Sequence, residues 1–399
     1  MKTKKRVLIS LLTALASLST FSTDIYLPSL PELTVYFDTT VTASQLTLSV
    51  YMLGFALSML FCGPLSDRYG RKSVTLGGLS LHLISTICCI FAKNIEILII
   101  ARFFQALGGC CGTVLGRVIA RDIFKEKDCI KVLSYLSAGL SISLAFAPIL
   151  GGFLQAFFDW HSSFVALAIL SCLILVASFF LLEETLPHQM RKSHKLKSLF
   201  KNYYIFIKNR HFLGYTLAIT FTWCGYFSFI SGSSFVFINL INIKPQDYGI
   251  IYALIITGYI IGTILASKLA YIWSSRQSVF FGSFLALVGS LLMLILTLTF
   301  PPNVFNLLFP MFFYLIGTGL IMPNAQAVVT NPFPELIGSA SSLFYFIEML
   351  FGALAGGFVG MYLKNSPTPM VVAIVVSSIF LFISTYKMIW KKNLLSQEN

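Results

Sequence analysis

Five ionisable side chains sit where ionisable groups are costly. Asp24, His82, Arg102, Arg117 and Glu348 all fall inside long apolar stretches of a 399-residue chain. A charge in hydrocarbon costs about 2.5–3.5 kcal/mol on insertion scales, so such groups normally face a bundle interior or a pathway for substrate or ions. Burial favours the neutral form of a carboxyl, and a neighbouring cation favours its ionised form. A carboxyl whose surroundings change between two conformations therefore takes up and releases a proton. Asp24 is the candidate for that chemistry. It lies four residues before Pro28, near the far end of the first apolar stretch, and Arg102 lies a similar distance into the fourth. At about 1.5 Å per residue, the two fall within about one turn of each other in depth. They are expected to face one another across a cavity. The competing reading is a fixed structural ion pair or a polar packing contact.

Glu348 falls near the middle of its apolar stretch. It either faces the cavity and attracts cationic substrates, or it packs as a hydrogen-bonded core residue. Arg117 lies close to the end of its stretch and is expected to snorkel to the interface. His82, alone on an apolar helix, reads as a packed, hydrogen-bonded side chain rather than a proton relay. The eight cysteines include no CxxC pair, and no Cys/His spacing matches a zinc site. They read as small apolar packing residues, and neither metal nor cofactor is expected.

The elements that must hold these side chains are membrane helices. The chain is 57% hydrophobic and 11% charged, against about 25% charged in soluble proteins. Apolar runs of about 18 residues or more are long enough to span a bilayer. Twelve occur, at roughly 7–28, 43–64, 74–92, 96–119, 130–155, 164–182, 212–237, 248–272, 278–299, 304–327, 339–361 and 370–389. The basic start (Lys2, Lys4, Lys5, Arg6) followed by Leu8–Leu15 has the form of a signal peptide. The apolar run continues well past it, which suits a retained first span better.

With the N-terminus in the cytoplasm, 23 of the 28 Lys and Arg residues fall on the cytoplasmic side, and only Lys93, Lys244 and Lys364 fall outside. That asymmetry orients the chain with both termini cytoplasmic. The net charge of +13 sits in short loops between spans, which argues for a bilayer surface and against nucleic acid. The longest polar stretch separates the sixth and seventh spans. It divides the chain into an N-terminal six-helix bundle (1–182), a cytoplasmic linker (183–211) and a C-terminal six-helix bundle (212–399), the layout of a duplicated transporter. Glycines recurring every four residues (Gly108, Gly112, Gly116; Gly352, Gly356, Gly360) read as close-packing stripes.

Three motifs carry a resemblance. The loop after the second span reads Gly63-Pro64-Leu65-Ser66-Asp67-Arg68-Tyr69-Gly70-Arg71-Lys72 and resembles the signature loop of the major facilitator superfamily. Here Asp67 is placed to meet a helix N-terminus or nearby arginines, as a latch that breaks for inward opening. Arg102-Phe103-Phe104-Gln105-Ala106-Leu107-Gly108-Gly109 is similar to the superfamily's fourth-helix motif, with Ala106 in a glycine position; the resemblance implicates its arginine in proton coupling. Ala147-Pro148-Ile149-Leu150-Gly151-Gly152 resembles the antiporter motif of the fifth helix, with Ala147 where glycine is usual. Further stretches, Ser22–Pro28, Gln45–Tyr51, Pro323-Asn324-Ala325 and Gly338–Ser341, are similar to the bicyclomycin/chloramphenicol-resistance (Bcr/CflA) drug–proton antiporters. The second-half copy of the signature loop is degenerate: Arg276 and Ser278-Val279 echo Arg71 and Ser73-Val74, and no acid stands in for Asp67.

The resemblance implies an all-α membrane protein of the major facilitator fold, with twelve helices in two six-helix bundles. It implies no enzyme but a multi-pass efflux transporter of the bacterial inner membrane, exchanging protons for small lipophilic compounds and expected to act as a monomer. Helices 1, 4, 7 and 10 would line the cavity, giving Asp24, Tyr26, Arg102, Gln105, Trp223, Tyr226, Tyr314 and Asn324 as candidate contacts, with Glu348 from helix 11. The alternative is a carrier of the same fold for a metabolite, siderophore or peptide. No HExxH, GxSxG or Walker sequence supports an enzyme.

Overall fold

A computed structural model describes residues 2–187, 189, 191 and 196–391. Lys192 and Lys195 of the expected linker, and Lys392 with the C-terminal tail, lie outside the described residues. Fourteen α-helices and no strand occur among the described residues: α1 (Lys2–Asp24), α2 (Leu30–Tyr36), α3 (Val41–Tyr69), α4 (Arg71–Ile90), α5 (Ile95–Ile123), α6 (Glu126–Phe157), α7 (Trp160–Leu181), α8 (Leu196–Lys208), α9 (Arg210–Ser234), α10 (Pro245–Leu269), α11 (Ser275–Thr299), α12 (Val304–Val328), α13 (Ile337–Tyr362) and α14 (Thr368–Ser384). Twelve segments are long and apolar enough to cross a membrane, and α1 with α2 makes the first of them.

Every expected span is present, with two differences. The first helix stops at Asp24, short of the expected end, because Pro28 and Pro31 lack backbone donors; a 3-10 turn at Leu27–Ser29 and the short α2 continue the path. The seventh helix runs on past 237 through a π-helical turn, Phe235–Leu240. Several starts are pinned by side-chain caps. Thr40, Asn94, Asp159, Asn209 and Asn303 each accept a first-turn N–H, and Ser274 with Gln277 forms a capping box. Each cap satisfies a helix-end donor that has no partner within its own helix.

The first six spans pack chiefly as α3 and α4 on α5 and α1 on α5 and α6; the last six pack as α10 and α11 on α12 and α9 on α14. The bundles meet along α3–α13 and α6–α10. The glycine stripes are packing faces: Gly112 and Gly116 lie on the Leu15 and Leu12 carbonyls, and Gly352 and Gly356 lie on Trp223 and Phe227.

The seam between bundles is tight on the face opposite the termini. A side chain at Gly152 would strike the Pro245 carbonyl and the Gln246 backbone, and one at Gly249 would strike the Pro148 carbonyl. Gln45 Nε2 donates to the Ser231 carbonyl, and Thr42 Oγ1 donates to the Gly360 carbonyl at 2.8 Å. Toward the terminal face the α3–α13 pair loosens: a Cβ at Gly63 or Gly338 would meet nothing within 4 Å. This conformation is closed on the face opposite the termini.

Candidate functional site

Arg102 is fully buried in α5. Its Nη1 donates to the Ser22 carbonyl at 3.1 Å and to Gln105 Oε1 at 2.5 Å. Its guanidinium carbon lies 4.3 Å from the Tyr26 ring centroid and 4.1 Å from that of Tyr51. A desolvated cation over an aromatic face gains about 2 kcal/mol, so the two rings offset part of the lost hydration, while Nε and Nη2 have no hydrogen-bond partner among the described residues. Gln105 is held in turn, donating to Thr86 Oγ1 at 2.7 Å. His82 stands behind this set, with Ser22 Oγ 3.0 Å from Nε2 and Ser171 Oγ 2.9 Å from Nδ1. Both ring nitrogens are occupied, and the histidine stitches α1, α4 and α7 together as a packed side chain.

Asp24 does not pair with Arg102. The depth estimate holds, since Arg102 reaches α1 at Ser22, about half a turn from Asp24, but the two residues face different ways. Arg102 meets α1 at Ser22, whereas Asp24 looks onto a cavity of about 70 Å³ between the bundles. Its walls come from α1, α3 and α6 on one side and from α9 and α13 on the other, among them Tyr51, Phe55, Trp223, Ile230 and Met349. Asp24 Oδ2 is buried and finds no hydrogen-bond partner among the described residues.

The other expected cavity residues divide. Trp223 lines this cavity, and Tyr226 packs edge-on against it with ring centroids 5.6 Å apart. Tyr226 shares a 2.8 Å hydrogen bond with Tyr252, and both hydroxyls lie within electrostatic reach of Asp24. Tyr26, Gln105 and Tyr314 are instead enclosed. Tyr26 bonds Thr47 at 3.0 Å, and Tyr314 donates to the Thr222 carbonyl at 2.8 Å beside Gly225. Asn324 is half-buried and returns its amide to the Leu320 carbonyl at 3.0 Å. In this conformation they support the walls rather than face the cavity. Glu348 is buried in α13 with Oε2 unpartnered, within the field of Arg117 from the opposite bundle. Arg117 does not snorkel outward; its Nη1 donates to Tyr345 across the seam at 3.2 Å.

The antiporter-like segment of α6 lies on the seam. Pro148 sits inside the helix, Gly151 lies under the Ile25 carbonyl of the first span, and Gly152 faces α10.

On the terminal face, the loop joining α3 and α4 is built around Arg71. Its Nη1 lies 2.6 Å from Asp67 and donates to Ser66 at 2.5 Å, and its Nε lies 3.4 Å from Asp122 at the end of α5. Glu184, just past α7, accepts the backbone N–H of Arg71 at 2.8 Å and of Lys72 at 3.3 Å, and meets Arg191 at 3.8 Å. Arg68 stays exposed over the Tyr69 ring. Asp122 and Glu184 escaped the reading of the sequence; the signal was that each acid ends a span on the face that carries the basic loops. Gly70 makes this geometry possible, with φ 98° and ψ 152° and the Glu184 carboxylate where its Cβ would be. That backbone region is nearly exclusive to glycine and costs other residues about 1–3 kcal/mol. Gly70→Ala should therefore lower the thermal unfolding midpoint by several degrees, a fall that Gly77→Ala, in open space, should not reproduce.

Against known proteins, the profile described as Major Facilitator Superfamily matches residues 12–357. A bicyclomycin resistance protein homolog of Haemophilus influenzae is 27% identical over 375 residues, covering 93% of each chain. Multidrug resistance protein D of Escherichia coli is 27% identical over 346 residues, 86% of each chain. Among solved structures, a bacterial homolog of the human lysosomal transporter Spinster, inward-facing and occupied, superposes with a TM-score of 0.75 at 15% identity, covering 100% of this chain and 98% of that one.

Proposed function

The chain belongs to the major facilitator superfamily, as a multi-pass bacterial membrane transporter and not an enzyme, and we propose that it exports small lipophilic compounds in exchange for protons entering the cell. The observation that carries this reading is Asp24, a buried carboxyl with an unpartnered oxygen on the cavity shared by the two bundles. Relatives named for bicyclomycin and multidrug resistance support the substrate class. An aromatic and apolar wall with few polar groups suits such ligands.

The proposed cycle uses the seam. Bundles 1–182 and 212–399, joined by the linker 183–211, rock about the central cavity. The terminal face is cytoplasmic and the membrane is the inner membrane, as the excess of Lys and Arg on that face supports. In the conformation closed on the outer face, Asp24 shares its cavity with Trp223 and lies within electrostatic reach of the tyrosine pair of the second bundle. Separating the outer ends of α6 and α10 hydrates the carboxyl and exchanges its proton. Arg102, held by Tyr26, Tyr51 and Gln105 and donating to the Ser22 carbonyl, takes part in proton coupling by bracing the helix that carries Asp24. The loop from Gly63 to Lys72, with Asp67, Gly70 and Arg71 at its centre, is the conformational latch; Pro148, Gly151 and Gly152 are the outer pivot. The transporter acts as a monomer, and its partners are protons, a small lipophilic substrate and the bilayer.

Proton release tests the reading. Purified protein in weakly buffered detergent should release protons when chloramphenicol or a lipophilic cation is added, and the Asp24→Asn protein should release none. Equal release from the mutant would remove Asp24 from the mechanism. No release with any drug would favour a carrier dedicated to one metabolite.

A further inference from the structure

In the first bundle, Arg71 and Arg191 each have a carboxylate to meet. The corresponding position of the second bundle has none among the described residues. Arg276 stands in the first turn of α11 as Arg71 does in α4, each just past the turn that follows a seam helix, and each is followed one residue later by Ser-Val. Asp67, Asp122 and Glu184 end α3, α5 and the stretch after α7. The ends of their counterparts α10, α12 and α14 carry no acid within the described residues before Glu335.

What stands there instead is a cavity of about 340 Å³, lined by Arg210, His211, Ser274 and Arg276 over an apolar floor of Tyr215 and Ile389. Arg276 Nε is buried without a hydrogen-bond partner among the described residues, and the guanidinium rests 5.0 Å from the Trp390 ring. Arg210 is anchored at its rim by donating to the Lys387 carbonyl at 3.0 Å, and His211 is fixed through Nε2 on the Val328 carbonyl at 2.9 Å. The cations are positioned by neutral partners, and no carboxylate pairs with them among the described residues. The capped start of α11 adds its positive end to the same space.

We propose that this cavity binds a phosphate-bearing anion, presented by the headgroup of an anionic phospholipid or by a soluble phosphate. The anion does for Arg276 and Arg210 what the three carboxylates do for Arg71: it ties the ends of α9, α11 and α14 together. The rim favours the lipid. Tyr271 is 93% and Ile272 is 79% exposed beside Trp273 in the α10–α11 turn, an apolar and aromatic edge suited to headgroup depth. The site is independent of the transported substrate and of Asp24.

The test is thermal unfolding of the full-length protein in neutral detergent, titrated in separate arms with phosphatidylglycerol, phosphatidylcholine and inorganic phosphate. Phosphatidylglycerol should raise the midpoint in the wild type. The concentration required should rise about tenfold in Arg276→Gln and in Arg210→Gln, each of which loses one charge-assisted contact. It should be unchanged in Lys125→Gln, which removes an exposed charge on the same face of the other bundle. An equal effect of inorganic phosphate, competing with the lipid, would assign the site to a soluble anion; an effect of phosphatidylglycerol alone would assign it to lipid. Stabilisation by phosphatidylcholine to the same extent, no stabilisation by either anion, or a wild-type response in both arginine variants would overturn the proposal.

Discussion

In vesicles carrying an imposed pH gradient, Asp24→Asn will transport without accumulating. For the wild type, each proton exchanged is worth about 1.36 kcal/mol per pH unit, so the steady-state drug ratio should change about tenfold per pH unit for each coupled proton. A membrane potential of 100 mV adds about 2.3 kcal/mol for each net charge moved. The amide matches the carboxyl in size, and the cavity it faces is shaped by Tyr51, Phe55 and Trp223, so substrate should still bind and cross. The mutant should keep drug–drug exchange across the membrane while the dependence of its drug ratio on pH falls to zero. An unchanged pH slope would shift the coupling to Glu348, the other seam carboxyl with an unpartnered oxygen.

Gly152→Val should hold the outer face open. The atoms its Cβ would meet are the Pro245 carbonyl oxygen at 2.5 Å and the Gln246 Cα at 3.0 Å, both backbone, so neither can rotate away. Overpacking a close seam costs about 1–3 kcal/mol, and the protein escapes this cost by separating α6 from α10. A shift of 1.4 kcal/mol is about tenfold in population. A cysteine at Ile25, buried in this conformation, should then react roughly tenfold faster with a membrane-impermeant maleimide than in the parent. Drug transport should fall by a similar factor. Gly77→Val, at a position with open space, serves as the control; equal labelling in the two variants would mean that the outer seam does not close by glycine contact.

The sequence made the scaffold and the costly residues readable, and left their partners hidden. Twelve spans stood out because lipid requires long apolar runs. Asp24, Arg102 and Glu348 stood out because hydrocarbon penalises them. Depth along a helix follows from counting residues, but the direction a side chain faces does not follow from depth. Ser22 and Asp24 are two residues apart, so they point roughly 200° apart around α1 at about 3.6 residues per turn. That rotation hands Arg102 to Ser22 and leaves Asp24 to the opposite bundle. Tyr26 and Tyr314 were expected to line the cavity because their helices do. Each turns away to satisfy a hydroxyl, on Thr47 and on the Thr222 carbonyl, as a buried phenol must. Asp122 and Glu184 are far from Arg71 in sequence, and only the packing of α5 and α7 beside α4 brings them near.

The seam between the bundles and the terminal end of the first bundle are fastened by different materials. The outer end closes by carbonyls against glycines and by neutral amide and hydroxyl donors, with Gln45 on Ser231 and Thr42 on Gly360. The terminal end of the first bundle is fastened by Arg71, Asp67, Asp122 and Glu184. Dissolved ions weaken the second kind of fastening, with a screening length of about 8 Å at physiological strength, and scarcely touch the first. The ionic content of the compartment on the terminal side thus becomes a dial on how firmly the first bundle holds its own helix ends together, while the salt on the opposite side scarcely touches the closure of the seam. A bacterium moving between fresh and brackish water would keep its outer door equally shut.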